Sequence, residues 1–150
     1  RLCIATTNTT SQLMQLCKQK GLTNIRFPGK VEKKYIPFIL SRSDLNINHV
    51  KQTGIMRFGC SLNKQFDYFA SGKPVLSDLT VNYDLIERYG AGVTLPTQDT
   101  EEMCRQVLRF AHMPQEEYQQ ICKNARRAAQ DYDYRALTQR LLQILEDTVK

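Results

Sequence analysis

The chain has 150 residues, of which 41% are hydrophobic and 24% charged, as is ordinary for a single soluble globular domain. Its five cysteines are an odd number without the two-residue spacing of zinc or redox motifs, which indicates free thiols in a reducing compartment. No run of about 18 apolar residues occurs, which excludes a membrane-spanning helix. The net charge of +6 indicates a solvated basic surface and is also compatible with an anionic partner such as a nucleotide or a lipid surface. Nucleic acid is disfavoured because no recognised motif accompanies the charge.

Short apolar runs alternate with amphipathic stretches in the first third of the chain. The pattern predicts, in order, a strand at Leu2–Ala5, a helix from Ser11 that stops at Gly21, a strand at Asn24–Phe27, a helix at Tyr35–Ser41 and a strand at Leu45–Asn48. The next stretch predicts a helix capped by Ser61 and ended by Gly72, a strand at Pro74–Leu76, a helix at Tyr83–Tyr89 closed by Gly90 and a strand at Gly92–Leu95.

Three helices complete the chain, at about Asp99–Ala111, Gln115–Ala129 and Arg135–Val149. Strands that alternate with helices predict one parallel sheet of five short, buried strands. The last helix has an apolar stripe formed by Leu137, Leu141, Ile144, Leu145 and Thr148 or Val149. We expect the last two helices to pack over a face or an edge of the sheet.

Ligands of an open parallel sheet bind beyond the carboxyl ends of its strands. Three predicted loops leave such ends: Pro28–Lys34, His49–Cys60 and Ser77–Asn82. The middle loop contains Gly54 and Gly59 and leads into the helix capped by Ser61. Free N–H groups at a helix start bind anions, and glycine lets the backbone approach a phosphate closely. The sequence therefore predicts a phosphate site here, with an ordinary capped helix as the alternative.

The segment that follows this loop has a specific pattern. Residues 67–75 run Asp-Tyr-Phe-Ala-Ser-Gly-Lys-Pro-Val, which resembles the Glu-Ala-Met-Ala-x-Gly-Lys-Pro-Val signature of the family 4 retaining glycosyltransferases, with Asp in place of Glu. A subset of that family that acts in cell-surface polysaccharide synthesis carries Ser-x-Asn-Lys-x-x-Asp-Tyr, which is matched here by Ser61, Asn63, Lys64, Asp67 and Tyr68.

Three further segments resemble the family in the same order: residues 24–31, 36–45 and 91–93. The family has the GT-B fold of two facing Rossmann-like domains. The resemblance therefore implies an α/β fold, namely a Rossmann-like parallel sheet with helices on both faces and further helices at the C-terminus. This domain would form the second half of a GT-B fold. Residues 1–150 are expected to be one donor-nucleotide-binding domain, truncated at its N-terminus, with the acceptor domain missing.

The resemblance also implies roles for individual residues. It assigns Lys30 and Val31 to the nucleotide base, largely through their main chain. It assigns Asp67 to the ribose, because a carboxylate can accept hydrogen bonds from two vicinal hydroxyls, with a helix-surface carboxylate as the alternative. His49, near a strand end, is a candidate contact for the donor sugar or the phosphates, with a packed or solvated histidine as the alternative. The diphosphate is assigned to the segment before and at the helix start, namely Gly59, Cys60, Ser61, Leu62 and Lys64, with a solvated side chain as the alternative for Lys64.

Two departures from the family matter for catalysis. The family pairs two acidic residues eight positions apart, but Gly59 stands eight positions before Asp67 and has no side chain. The family's Arg and Lys pair, which neutralises the leaving diphosphate, belongs after a strand expected to precede Arg1. The catalytic residues are therefore left unassigned, and we expect this chain alone to be inactive.

The full-length enzyme implied by the resemblance transfers a sugar from a UDP- or GDP-linked donor, with retention, to a glycan or lipid-linked acceptor. The enzyme is expected to work in the cytoplasm, at the inner face of a membrane, and the basic surface of the chain is compatible with anionic lipid. It is expected to need no cofactor and no metal besides its nucleotide-sugar donor. Asp131 and Asp133 form an Asp-x-Asp pair that binds metal in another glycosyltransferase fold, but they lie away from the predicted strand ends. The alternatives are a non-catalytic nucleotide-sugar-binding module and a sugar-nucleotide epimerase of the same fold.

Overall fold

The structure is a computed structural model that describes residues 2–3, 10–60 and 62–149, with side chains for 11–60 and 62–148. The chain divides into two units, residues 1–36 and 37–150.

The first unit contains two short parallel strands, β1 (Leu2–Cys3) and β2 (Ile25–Arg26), with Leu2 opposite Ile25. Helix α1 (Thr10–Gln19) joins them, and a 3₁₀ turn at Lys33–Tyr35 follows β2. The continuation of the first strand predicted at Ile4 and Ala5 lies outside the described residues.

The second unit carries the larger sheet. Its elements are α2 (Ile36–Ser41), which begins at the boundary, β3 (Asn46–Asn48), a 3₁₀ turn at Gly54–Phe58, α3 (Asn63–Ala70), β4 (Val75–Ser77), α4 (Leu85–Tyr89), β5 (Gly92–Thr94), α5 (Thr100–Ala111), α6 (Gln115–Asp131) and α7 (Tyr134–Val149). The strands form a parallel sheet in the order β3-β4-β5.

Within the described residues all five predicted strands are present and every pairing is parallel: β1 pairs with β2 in the first unit, and β3, β4 and β5 pair in the second. Periodicity identifies a buried strand from its own residues. It does not identify hydrogen-bonded neighbours, because strand order depends on how the intervening helices pack.

The core of the second unit lies around β4. Val75 and Leu76 are both fully buried although consecutive strand residues point to opposite faces, so both faces of β4 are covered. Phe69 from α3 and Ile86 from α4 pack in one cluster with Val75, and α6 adds Ala125 to it. Small alanines let α6 approach closely, and this helix packs against α3 and α4 and shares their core cluster with Val75 of β4.

Glycine ends two helices where the sequence predicted an end. Gly90 adopts the left-handed conformation after α4, and its N–H and that of Ala91 bond to the last carbonyls of the helix. Gly72 follows α3 with φ of 65° and is buried against the side chain of Arg126, so a larger residue would meet both strain and a steric clash.

The last helix differs from the prediction. The apolar stripe of α7 does not cover the sheet: Leu141, Ile144 and Leu145 are 56%, 62% and 52% exposed. The reason is that α6 already fills this part of the core. Helix α7 packs against α6.

Within the described ranges, the helices are all too short or too polar to cross a membrane.

Candidate functional site

The carboxyl ends of β3, β4 and β5 lie side by side in the second unit. Asn48 is opposite Ser77 and Ser77 is opposite Thr94, so the three last strand residues form one row. Opposed residues of paired strands share a face, so these polar side chains point to the same side. The side-chain oxygens of Asn48 and Thr94 are buried without a hydrogen-bond partner among the described residues. Polar groups therefore concentrate at this edge, where parallel sheets bind ligands.

Two glutamines tie together the loops that leave this edge. Gln52, in the loop after β3, donates to the carbonyl of Thr80 at 3.0 Å and accepts from the Thr80 N–H at 3.2 Å. Gln98, after β5, donates to the carbonyl of Val50 at 2.8 Å and accepts from the Gln52 N–H at 3.3 Å. Because each amide side chain satisfies one N–H and one C=O, the loops after all three strands are held in one cluster.

A histidine and an aspartate meet at this edge. His49 directly follows β3, as predicted, and its Nδ1 lies 2.6 Å from Oδ2 of Asp78, which directly follows β4. The Asp78 side chain is 5% exposed, whereas that of His49 is 67% exposed. The carboxylate is therefore buried behind an imidazole whose other edge faces solvent.

The start of α3 lies beside this pair and has no cap from its own N-cap residue. Leu62 occupies the N-cap position and makes no side-chain hydrogen bond to the first turn, which contains no acidic residue. Its first N–H groups have no partner within the helix, as in every α-helix. The partial positive charge of a helix start is therefore uncompensated here by any side chain of residues 62–70.

A cation stands in this first turn. Lys64 directs its ammonium to the carbonyl of His49 at 3.5 Å. Desolvation by burial lowers its pKa, while the nearby Asp78 and Cys60 act in the opposite direction. A partly desolvated ammonium at the positive end of a helix is electrostatically unfavourable, and an anion bound there would relieve it.

The other residues assigned to the diphosphate precede this turn. Gly59 is exposed with φ of 120° at the end of the 3₁₀ turn, and Cys60 and Leu62 are half-buried. Ser61, predicted both as the helix cap and as a diphosphate contact, lies outside the described residues. The helix itself begins at Asn63, one residue later than a cap at Ser61 implies.

Asp67, assigned to the ribose, lies on α3 three residues after Lys64 and is exposed. Residues three apart share a helix face, so the two assigned side chains lie on the same side of α3. The neighbouring Tyr68 is a packed residue: its hydroxyl donates to the carbonyl of Ile47 at 3.4 Å, and burial, followed by the charge of Asp67, raises its pKa. Three of the assigned residues, Asp67, Lys64 and His49, therefore lie in the second unit. Lys30, exposed, and Val31, half-buried, belong to the first unit.

The Asp-x-Asp pair has structural partners. Asp131 accepts from the hydroxyl of Tyr89 at 2.8 Å, and Asp133 accepts from the N–H of Arg135 at 2.8 Å, which caps α7. Tyr132, between them, bonds to the hydroxyl of Tyr83 at 3.1 Å. Burial and this neighbour raise the pKa of Tyr132 to about 12. Both carboxylates thus stabilise the turn between α6 and α7.

Three residues of this edge were missed from the sequence: Gln52, Asp78 and Gln98. Asp78 follows a predicted buried strand within the predicted loop Ser77–Asn82, which is the one local signal that marks it. The two glutamines stand in ordinary polar loop sequence, and nothing nearby distinguishes them.

Comparison with protein families gives one match: a family described as glycosyl transferase-like matches residues 9–143 of the chain. In sequence alone, no curated protein is significantly similar.

Several solved structures are similar in fold. HepE from Anabaena, solved in complex with UDP-glucose, matches with a TM-score of 0.68 and 21% identity over 91% of this chain and 36% of HepE. WaaG, a glycosyltransferase involved in lipopolysaccharide biosynthesis, matches with a TM-score of 0.68 and 20% identity over 95% of this chain and 37% of WaaG. Sucrose-phosphate synthase from Thermosynechococcus elongatus matches with a TM-score of 0.71 and 14% identity over 99% of this chain and 38% of the synthase.

These matches confirm the predicted fold class, an α/β fold with parallel strands shared with GT-B glycosyltransferases. The chain spans little more than a third of the length of the solved proteins it matches.

Proposed function

Because the chain belongs to the glycosyl transferase-like family, we propose that it is the part of a glycosyltransferase that binds the nucleotide-sugar donor. One observation carries the proposal: the start of α3, uncapped by Leu62 and bearing Lys64, stands at the carboxyl edge of the sheet inside the segment that resembles the family 4 signature. The enzyme of which it is part transfers the sugar, with retention, to a glycan or a lipid-linked acceptor held by another domain.

The diphosphate of the donor binds at the start of α3 in this proposal. Backbone N–H groups from Cys60 to Leu62 donate to the phosphate oxygens, and Gly59 allows the backbone to approach them. Lys64 adds a positive charge, and its desolvation supports this role because an ammonium that has lost water gains more from a bound anion.

The ribose binds Asp67, whose ionised carboxylate accepts hydrogen bonds from the two vicinal hydroxyls. Lys64 and Asp67 are three residues apart on one helix face, which supports a ligand that meets its phosphates and its ribose along α3. The base contact proposed for Lys30 and Val31 belongs to the first unit and is tested separately, by the base preference of the protein.

HepE was solved with UDP-glucose and with UDP, which supports a uridine diphosphate donor here, with a guanosine diphosphate donor as the alternative. The donor sugar is proposed to lie near His49. The reaction as proposed needs no metal and no cofactor, and it takes place in the cytoplasm at the inner face of a membrane.

Gly59 favours a second candidate function. It stands where the family carries the first of its paired carboxylates, and as glycine it offers no side chain to the donor sugar. A binding module that kept the nucleotide site and lost catalysis fits this replacement. Nucleotide binding without turnover in the full-length protein would favour this module over the enzyme.

The test is a thermal-shift panel of UDP, GDP, ADP and dTDP. A ligand at 100 times its Kd stabilises the folded state by about 2.7 kcal/mol, so a bound nucleotide is readily detected. We expect one nucleotide to raise Tm, Asp67→Ala to abolish the rise, and Glu146→Ala, a matched change of an exposed carboxylate on α7, to preserve it. If Asp67→Ala responds like the unmodified protein, the ribose assignment is wrong.

A further inference from the structure

Two adjacent strand ends place a histidine and an aspartate in contact. Asn48 is opposite Ser77 in the sheet, so the residues that follow them, His49 and Asp78, leave the same edge together. The separation of 2.6 Å between His49 Nδ1 and Asp78 Oδ2 is that of a short, charge-assisted hydrogen bond.

Asp78 is not an ordinary surface carboxylate. The residue is 4% exposed, and its second oxygen, Oδ1, is buried without a hydrogen-bond partner among the described residues. A buried carboxylate is costly unless it is paired, and its bonded side-chain partner here is His49. The next helix, α4, does not use this carboxylate as its cap, because Asp84 caps it.

The contact determines which face of the imidazole is available. An ionised carboxylate can only accept a hydrogen bond, so its pairing with Asp78 requires a proton on Nδ1 and leaves Nε2 as the nitrogen that can meet a ligand. The ring is largely exposed, and the carbonyl of the same residue accepts from Lys64 in the first turn of α3. The free nitrogen therefore belongs to the polar edge where the proposed diphosphate binds.

We propose that Asp78 is a positioning residue: it holds His49 in the Nδ1–H form so that Nε2 contacts the sugar-bearing phosphate of the nucleotide. The inference rests on the nucleotide function proposed above, and it deepens that function by naming a second residue behind the ligand contact. His49 touches the ligand, and Asp78 acts through His49.

The first test examines the protein without ligand. Two-dimensional ¹⁵N–¹H spectra of the imidazole at about pH 9, well above the ordinary titration range of histidine, report which nitrogen carries the proton. We expect the Nδ1–H form in the unmodified protein and a shift toward the Nε2–H form in Asp78→Asn, whose amide group can donate to Nδ1. An Nε2–H form in the unmodified protein overturns the proposal.

The second test measures calorimetric affinities for uridine, UMP and UDP. We expect Asp78→Asn to weaken UDP binding about tenfold, the effect of one hydrogen bond to a charged group, and to leave the affinity for uridine unchanged. In a His49→Ala background the same substitution should have no further effect, because Asp78 acts only through the imidazole. Equal losses for uridine and UDP, or additive losses in the double variant, would indicate a structural role and overturn the proposal.

Failure of the two proposals can be told apart. If the unmodified protein binds none of the three ligands, the nucleotide function and the ligand contact both fail. If it binds UDP and neither Asp78→Asn nor His49→Ala weakens that binding, only the present inference fails. Should Asp78→Asn not fold, the spectrum of the unmodified protein still tests the Nδ1–H form that Asp78 imposes, and the exposed His49→Ala tests the ligand contact, since it must weaken UDP and spare uridine.

Discussion

The starts of α3 and α4, two helices that pack into the same core, are built in opposite ways. Asp84 caps α4 and accepts from the N–H groups of Ile86 at 2.7 Å and Glu87 at 3.3 Å. The equivalent position of α3 holds Leu62, which has no side-chain acceptor; the first turn of α3 carries Lys64, whereas the first turn of α4 carries Glu87. Helix α5 begins in the same way as α4: Asp99 is its cap, and its first turn contains two glutamates.

The difference separates stability from function. Acidic caps and acidic first turns stabilise a helix, and this chain uses them at α4 and α5. At α3 the same chain has neither, although the helix contributes the fully buried Phe69 to the core. A helix start left without such compensation, at a sheet edge rich in polar groups, is typical of a site where stability is reduced for ligand binding.

A capping residue in place of Leu62 should give α3 a stabilised start like that of α4. We expect Leu62→Asp to be about 1 kcal/mol more stable than Leu62→Ala, because its carboxylate accepts from the first turn. It should also bind UDP more than tenfold more weakly, or about 1.4 kcal/mol, because it occupies the amides and repels the phosphates. Chemical denaturation and calorimetry measure the two effects.

Leu62→Asn is the matched control, since it caps equally well without a charge. It should recover the stability of the aspartate variant and retain more UDP affinity. UDP affinity in Leu62→Asp equal to that of the unmodified protein would show that α3 does not hold the phosphates.

The opposite experiment removes a cap from α4. Asp84→Ala leaves two N–H groups without their acceptor, beside the buried Ile86, and we expect it to lower the free energy of unfolding by about 1 kcal/mol. Asp84→Asn keeps the acceptor and should lose little. Nucleotide affinity should stay unchanged in both variants, so a loss of UDP binding by Asp84→Ala would show that the two helix starts are not functionally distinct.

The smallest expected effect is a pH dependence that arises from Lys64. Its pKa is lowered in the folded state, mainly by desolvation, so the unfolded chain binds more protons at alkaline pH below the ordinary value of 10.5. The contribution of Lys64 to stability therefore rises with pH through that window. Lys64→Gln should flatten the rise in unfolding free energy at alkaline pH below 10.5, relative to the exposed control Lys123→Gln. A slope unchanged by Lys64→Gln would contradict the desolvation of Lys64.

Much of the fold was predictable because it depends on local rules. Each strand after the first was placed within about a residue of its observed bounds, since a short segment with apolar residues between turn-forming residues has few alternatives. Gly90 marks the end of α4 because only glycine adopts its left-handed conformation without strain. The prediction that the apolar stripe of α7 covers the sheet was wrong. Residues such as Leu141 and Ile144 identify an apolar face of the helix, but the sequence pattern does not determine which element packs against that face.

The candidate site was predicted in part. The position of His49 at a strand end followed from the order of elements, and the roles of Lys64 and Asp67 stay predictions carried by the family resemblance. Asp78 was not identified, because its partner stands 29 residues earlier and nothing near it in sequence marks the pairing.

The amino-acid sequence by itself determined the alternation of strands and helices, the positions where helices end, and the motif that leads to the glycosyl transferase-like family. These features depend on residues within one or two helical turns of each other. The tertiary structure alone decided that the strands of the second unit lie in the order β3-β4-β5, that Gln52 and Gln98 join the loops across 46 residues, and that Asp78 is buried behind His49. Such contacts follow from strand order and helix packing, which bring together residues that no local pattern relates.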